Sequence, residues 1–202
     1  MKLYYSPGAC SMADHIALEW IGKPYEAKRL SGDERKSPEY LAINPAGAVP
    51  ALDDGGWILT QNAAILNYLA DANPDAKLGG DGTPKSRAEV NKWLALSNSD
   101  IHPAFHPLFG TTAYLGEENA DKTKAAAKEK LRGLFQTVDK QLAGKDWVTG
   151  SRSIADPYLF VVARWAKAMK VDLSGLDNLE RFFQHMLADA GVQKVLQDEG
   201  IA

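Results

Sequence analysis

The chain has 202 residues, of which 45% are hydrophobic and 24% charged, enough apolar material for one or two folded domains. Its 23 Lys and Arg stand against 26 Asp and Glu, a net charge of −3, which excludes a nucleic-acid partner held mainly by charge. A single cysteine excludes an internal disulfide, and no apolar run is long enough to span a membrane. With a strand predicted from the start and no leader ahead of it, the expected location is the reducing cytoplasm.

Residues 2–5 predict a short aromatic strand. Ser6-Pro7-Gly8 breaks it, because proline fixes φ and glycine admits conformations that other residues resist. Met12, Ile16, Ala17 and Trp20 then recur at helical spacing, and Ser11-Met12-Ala13-Asp14 has the form of a capping box with Asp in place of Glu. The only cysteine, Cys10, therefore falls at a strand-to-helix turn. A helix start offers free N–H groups and a positive dipole end, so the expectation is a functional thiol of lowered pKa. The alternative is a small buried apolar side chain.

Gly22-Lys23-Pro24 closes this helix. Residues 25–30 predict a second strand, placed at a sheet edge by Glu26, Lys28 and Arg29. Ser37-Pro38-Glu39 starts a helical turn, and Asn44-Pro45-Ala46-Gly47 is a turn signal. Residues 48–52, the tetrad Asp53-Asp54-Gly55-Gly56 and Trp57-Ile58-Leu59 predict strand, hairpin turn and strand. Pro50 cannot donate to a ladder and belongs at the strand's start. Thr60 or Asn62 caps the next helix, which runs to Ala72 with Ile65, Leu66, Tyr68 and Leu69 on its apolar face. The order is βαβ then ββα, an α/β domain over residues 1–76.

Residues 73–84 hold three Gly and two Pro, and residues 77–84 are taken as a linker. Residues 85–202 then predict an all-α domain. Its helices cover 85–109 (kinked or ended by Pro103 and Pro107), 121–142, 153–169, 176–188 and 192–198. Ser153-Ile154-Ala155-Asp156 reads as a second capping box around a buried, structural Asp156.

No Cys-x-x-Cys, Walker loop or G-x-G-x-x-G is present. Among His15, His102, His106 and His185 only His102 and His106 have i, i+4 spacing. Pro103 and Pro107 interrupt the helix that such a pair needs, so no metal site is expected.

The pieces in combination resemble the cytosolic glutathione S-transferase superfamily over essentially the whole chain, and are most similar to its bacterial beta class. The likeness rests on Lys2-Leu-Tyr-Tyr-Ser-Pro-Gly-Ala-Cys-Ser11, Asn44-Pro-Ala-Gly-Ala-Val-Pro-Ala-Leu52, Leu59-Thr-Gln-Asn-Ala-Ala-Ile-Leu-Asn-Tyr-Leu-Ala-Asp71 and Ser153-Ile-Ala-Asp-Pro-Tyr-Leu-Phe160. It implies a thioredoxin-like N-terminal domain that binds glutathione, an all-helical C-terminal domain, and a homodimer. It implies conjugation of reduced glutathione, as co-substrate and with no other cofactor, to small hydrophobic electrophiles. The rivals are glutathione-dependent redox chemistry through a Cys10 mixed disulfide and a non-catalytic glutathione-binding protein. A maleylacetoacetate-isomerase-like role is disfavoured, because Met12-Ala13-Asp14-His15 stands where basic residues are expected.

The resemblance also assigns site residues. Val49-Pro50 resembles a cis-proline turn that leaves the Val49 backbone free to pair with the cysteinyl unit of glutathione, beside Ala9 and Cys10. Gln61 and Asn62, at a helix start, match the site for the γ-glutamyl carboxylate, with Asn62 a departure from the family pattern. Ser99 and Asp100 resemble the pair that reaches the γ-glutamyl amine across the dimer. His102 looks like the histidine facing the thiol, although Pro103 follows it where Lys is usual. His106 and Trp165 are assigned to the electrophile pocket. Cys10, Ser11 or Tyr5 would donate to the glutathione sulfur.

Overall fold

In the computed structural model, which describes residues 1–202, strand β1 (Lys2–Tyr5) occupies an inner position of a four-stranded sheet of order β2-β1-β3-β4. β2 (Glu26–Arg29) pairs parallel to it, with Lys2 opposite Glu26 and Tyr5 opposite Arg29. All four β2 residues are exposed, as a charged edge strand should be. β3 (Ala51–Asp54) runs antiparallel to β1, and β4 (Trp57–Thr60) antiparallel to β3. Gly55 and Gly56 join the last two with φ of +65° and +92°, a tight turn that residues with a Cβ resist.

Helix α1 (Met12–Ile21) packs against the sheet and three further helices, α3 (Asn62–Ala72), α7 (Ala155–Ala168) and α9 (Ala190–Glu199). It is covered on all sides, so Met12 through Leu18 are all buried. One hydrophobic cluster consequently runs from Leu3 in the sheet through Ile16 and Leu66 to Phe160 and Leu196. α1 ends at Gly22, whose φ of +72° closes the helix as predicted.

The cap of α1 differs from expectation. Ser11 is already in helical conformation, with φ −57° and ψ −18°, whereas a capping serine needs an extended backbone. Its hydroxyl instead accepts the Ser6 N–H at 3.2 Å. Asp14 does not reach back to Ser11, because it is fully buried and binds Asn62. Neither Thr60 nor Asn62 caps α3. The residue before that helix is Gln61, and its φ of +75° swings the chain out of β4 without a side-chain cap. Ser37 does cap the short α2 (Pro38–Ile43), accepting from Tyr40 N–H at 3.3 Å.

The remainder is helical: α4 (Pro84–Ala95), a π-helical turn over Leu96–Ile101, α5 (His102–Ala104), α6 (Glu117–Gln141), α7, α8 (Asp177–Ala188) and α9. The helical run ends at Ala104, one residue past Pro103 and short of the expected residue 109. The widened turn before it places Pro103, which has no N–H to donate, at the start of the next turn together with His102.

Asp156 is buried at the start of α7 and receives three hydrogen bonds: Val148 N–H (2.8 Å), Ser153 N–H (2.8 Å) and the Ser153 hydroxyl (3.0 Å). The Ser153 hydroxyl oxygen takes the Ala155 N–H and not that of Asp156, so the second box is only half formed. Burial pushes the Asp156 carboxyl up to about 7 against the pull of those donors. Replacing it by alanine strands the two N–H groups, each worth about 1–3 kcal/mol when buried unpaired. Urea unfolding of Asp156→Ala should show a loss of about 3 kcal/mol. The folded pKa lies above the unfolded one, so this group's contribution falls as pH rises from about 4 to about 7, a slope the variant should lack.

Candidate functional site

The turn between β1 and α1 is held by residues from distant parts of the chain. Gly8 has φ +69°, a conformation that favours glycine. Its N–H donates to Glu199 Oε2 at 2.8 Å, and its carbonyl accepts from Trp165 Nε1 at 2.8 Å. The Ser6 hydroxyl donates to the Leu30 carbonyl at 2.7 Å. A second turn faces the first. Asn44 donates to the Ala48 carbonyl at 2.8 Å and accepts the Ala46 N–H, while the Tyr40 hydroxyl reaches the same carbonyl at 2.6 Å. The chain then passes through a cis Val49-Pro50 bond into β3. Where the two turns meet, the Cys10 thiol donates to the Val49 carbonyl at 3.5 Å.

A cleft of about 330 Å³ opens above this contact. Cys10, Val49 and Pro50 line one side, Gln61 and Asn62 another, and His102, His106 and Tyr158 close it from the helical part. No Lys, Arg, Asp or Glu lines it. His102 Nδ1 lies 2.7 Å from the Tyr158 hydroxyl. Burial, with a smaller contribution from His106, lowers the His102 pKa to about 4, so its ring is neutral at pH 7. When the Tyr158 hydroxyl donates a hydrogen bond to Nδ1, the neutral imidazole carries its proton on Nε2.

The Cys10 thiol is a correction to the expectation from its position. The N–H groups of Cys10 and Ser11 do favour a thiolate, but burial opposes it more strongly and Asp14 adds to that opposition, pushing the thiol up to about 12. The helix-end effect is present and outweighed.

The fold brings Cys10, Val49, Pro50, Gln61, Asn62, His102 and His106 to one cleft. It leaves out the others. Ser11 is fully buried with its hydroxyl on the Ser6 backbone. Tyr5 is buried against His15, and its hydroxyl points to the Asp198 carbonyl at 3.4 Å. Neither is placed to meet a sulfur in the cleft. Ala9 lies in the turn behind Cys10, its carbonyl taken by the Met12 N–H. Trp165 stands behind the cleft, edge-on to His102 with ring centres 4.7 Å apart. Ser99 and Asp100 are exposed and outside this subunit's cleft. The Asn62 side chain turns inward, donating at 2.8 Å to both the Cys10 carbonyl and Asp14.

Sequence reading missed Tyr158, Asn44 and Asn98 as lining residues. Tyr158 sits on the apolar stripe of α7 and reads as core; its signal was a phenol that needs a polar partner when buried.

The family models for the glutathione S-transferase N-terminal and C-terminal domains match residues 1–71 and 98–190. The chain belongs to the glutathione S-transferase family. Among relatives, the glutathione S-transferase GST-4.5 of Xanthomonas campestris pv. campestris is 55% identical over the full length of both chains. The solved glutathione S-transferase of Xylella fastidiosa is 52% identical with a TM-score of 0.97, over 100% of this chain and 99% of that one. A bacterial beta class glutathione S-transferase of Sphingomonas chungbukensis is 37% identical with a TM-score of 0.88 over all of both chains. The thioredoxin-like and helical parts described above are those of a glutathione S-transferase.

The neutral His102 can be tested directly. By imidazole NMR its ring should titrate near 4, while a free histidine titrates near about 6.5. Because its pKa is depressed on folding, its contribution to stability is complete above about 6.5 and is lost as pH falls toward 4. Titration of His102 close to 6.5 would contradict the buried, neutral assignment.

Proposed function

We propose that this protein transfers the sulfur of reduced glutathione to small hydrophobic electrophiles in the cleft above Cys10. The observation that carries the reading is the meeting of Cys10 and Val49 at the base of a cleft with the start of α3 on its flank. Glutathione is an extended peptide with two carboxylates and one thiol. The Val49 backbone lies just before β3 and suits the cysteinyl unit of such a peptide. The first N–H groups of α3, behind Gln61, suit the γ-glutamyl carboxylate. Asn62 then serves through its backbone N–H, since its side-chain amide is committed to Cys10 and Asp14.

In this reading the glutathione sulfur lies beside Cys10, whose S–H turns from the Val49 carbonyl to donate to it. The sulfur attacks the electrophilic carbon, a C–S bond forms, the carbon–halide bond of an aryl halide breaks, and the thiol proton passes to solvent. His102 and His106 face the electrophile, and Trp165 backs the His102 ring from behind the cleft. Ser99 and Asp100, exposed here, serve the cleft of a second subunit in a two-fold homodimer. The domains divide at residues 1–76 and 85–202, with 77–84 between them.

A second reading, disulfide exchange through Cys10, is favoured by the presence of the chain's only thiol in the cleft. There, a Cys10 thiolate attacks oxidised glutathione, forms a mixed disulfide and releases one glutathione thiolate. The raised thiol pKa weighs against it as the main activity.

Turnover with glutathione and a chromogenic aryl halide, run beside disulfide reduction, separates these readings. Cys10→Ser should keep measurable conjugation, because a hydroxyl replaces the donor, and lose disulfide exchange, because it forms no disulfide. Absence of conjugation in the wild type would refute the transferase reading and leave a binding protein. In sedimentation the protein should run as a dimer; a monomer with full glutathione affinity would remove Ser99 and Asp100 from the site.

A further inference from the structure

Three carboxyl groups are buried in this molecule, and two of them are well matched. Asp156 receives three hydrogen bonds, and Glu199 holds the Gly8 N–H and His15. Asp14 is different. It is fully buried on α1, its Oδ2 receives a single hydrogen bond from Asn62, and its Oδ1 has no partner. The same Asn62 amide nitrogen donates at 2.8 Å to the Cys10 carbonyl. One side-chain amide thus ties an under-solvated carboxyl to the turn that carries the thiol.

Each element around Asp14 contributes an identifiable group. From the turn comes Cys10, and from α3 comes Asn62, which is neutral. From α7 comes Tyr158, a phenol raised first by burial and then by the negative charges of Cys10 and Asp14. His102 joins through Tyr158 and is neutral. The positive charge of Arg35 favours the Cys10 thiolate slightly. On α1 itself, the neighbouring His15 is engaged by Glu199 of α9. No cation pairs with Asp14, and an unpaired buried carboxylate is costly, so this group keeps its proton well beyond the usual carboxylate range.

We propose that Asp14 is a positioning residue that sets the charge state of Cys10: across the Asn62 bridge the two groups carry one negative charge between them, Asp14 ionising first and so holding Cys10 as a thiol. Two negative charges on groups linked by one side-chain amide in a poorly solvated site repel, so the second proton is retained. A Cys10 held as S–H is a hydrogen-bond donor and a slow nucleophile toward disulfides. That consequence rests on Cys10 being the thiol that meets glutathione; the coupling itself does not.

The test therefore needs no glutathione. Cys10 is the only cysteine, so the pH dependence of its alkylation by iodoacetamide, followed by intact mass, reports its thiolate directly. Asp14→Asn keeps an acceptor oxygen for Asn62 and removes the charge. Its profile should move to lower pH, with alkylation about tenfold faster near about pH 8, the equivalent of about one pKa unit. A purely structural role would leave the profile in place, and an unmoved or upward-shifted profile overturns the proposal. Should the variant fail to fold, carbon-13 NMR of the aspartate carboxyls in the wild type decides. Asp14 should ionise before Cys10 becomes alkylatable, whereas an Asp14 that stays protonated while Cys10 is alkylated overturns it. A shifted alkylation profile in a protein without glutathione turnover would sustain this coupling while refuting the transferase reading.

Discussion

The position of Cys10 depends on one residue, Gly8, being gripped through the peptide groups on both of its sides. Its carbonyl is held by Trp165 and its N–H by Glu199, residues 157 and 191 positions further along the chain. Both bonds come from the helical part, so the turn of the sheet part that carries Cys10 is shaped by the other half of the molecule. Glu199 is itself anchored on His15, fully buried on α1. The continuous core around α1 makes this grip rigid, since α1 packs on α7 and α9 at once. Loss of the C-terminal helix would therefore remove the Glu199 half of this grip without touching a single residue that lines the cleft.

Electrostatically the cleft is quiet at its surface and tense beneath it. No formal charge lines it, and His102 is held neutral. Under the proposed reading, the ends of glutathione are bound by backbone N–H groups and a helix dipole, with charged groups supplied by a second subunit. Beneath the floor, burial raises both Cys10 and Asp14. Desolvation and a like charge thus outweigh the helix end. That ordering favours a thiol that donates over a thiolate that attacks.

Much of the fold was legible from local chemistry. Gly22 ended α1, the Gly55-Gly56 turn made the hairpin, and the charges of β2 put it at the edge, each because backbone geometry or an exposed edge selects those residues. What was not legible depends on contacts far apart in sequence. Ser11 and Asp14 have the spacing of a capping box, but Asp14 answers to Asn62, 48 positions away. His102 is neutral because of burial, with Tyr158, 56 positions away, against its ring. Pro103 reads as a helix breaker, and only the widened turn at Leu96–Ile101 shows how the chain keeps His102 over the cleft. Family likeness carried Trp165 to the electrophile pocket, whereas it stands one layer back and fixes Gly8.

The central claim is that the cleft between Val49, Cys10 and the start of α3 is where glutathione sits. A crystal structure with reduced glutathione tests it most directly. The account predicts the cysteinyl backbone paired with Val49, the γ-glutamyl carboxylate on the first N–H groups of α3, and the sulfur within hydrogen-bonding distance of Cys10 Sγ. Glutathione bound elsewhere, as in the cavity beside Lys77 and Arg87, or bound here with its sulfur turned away from Cys10, would contradict it.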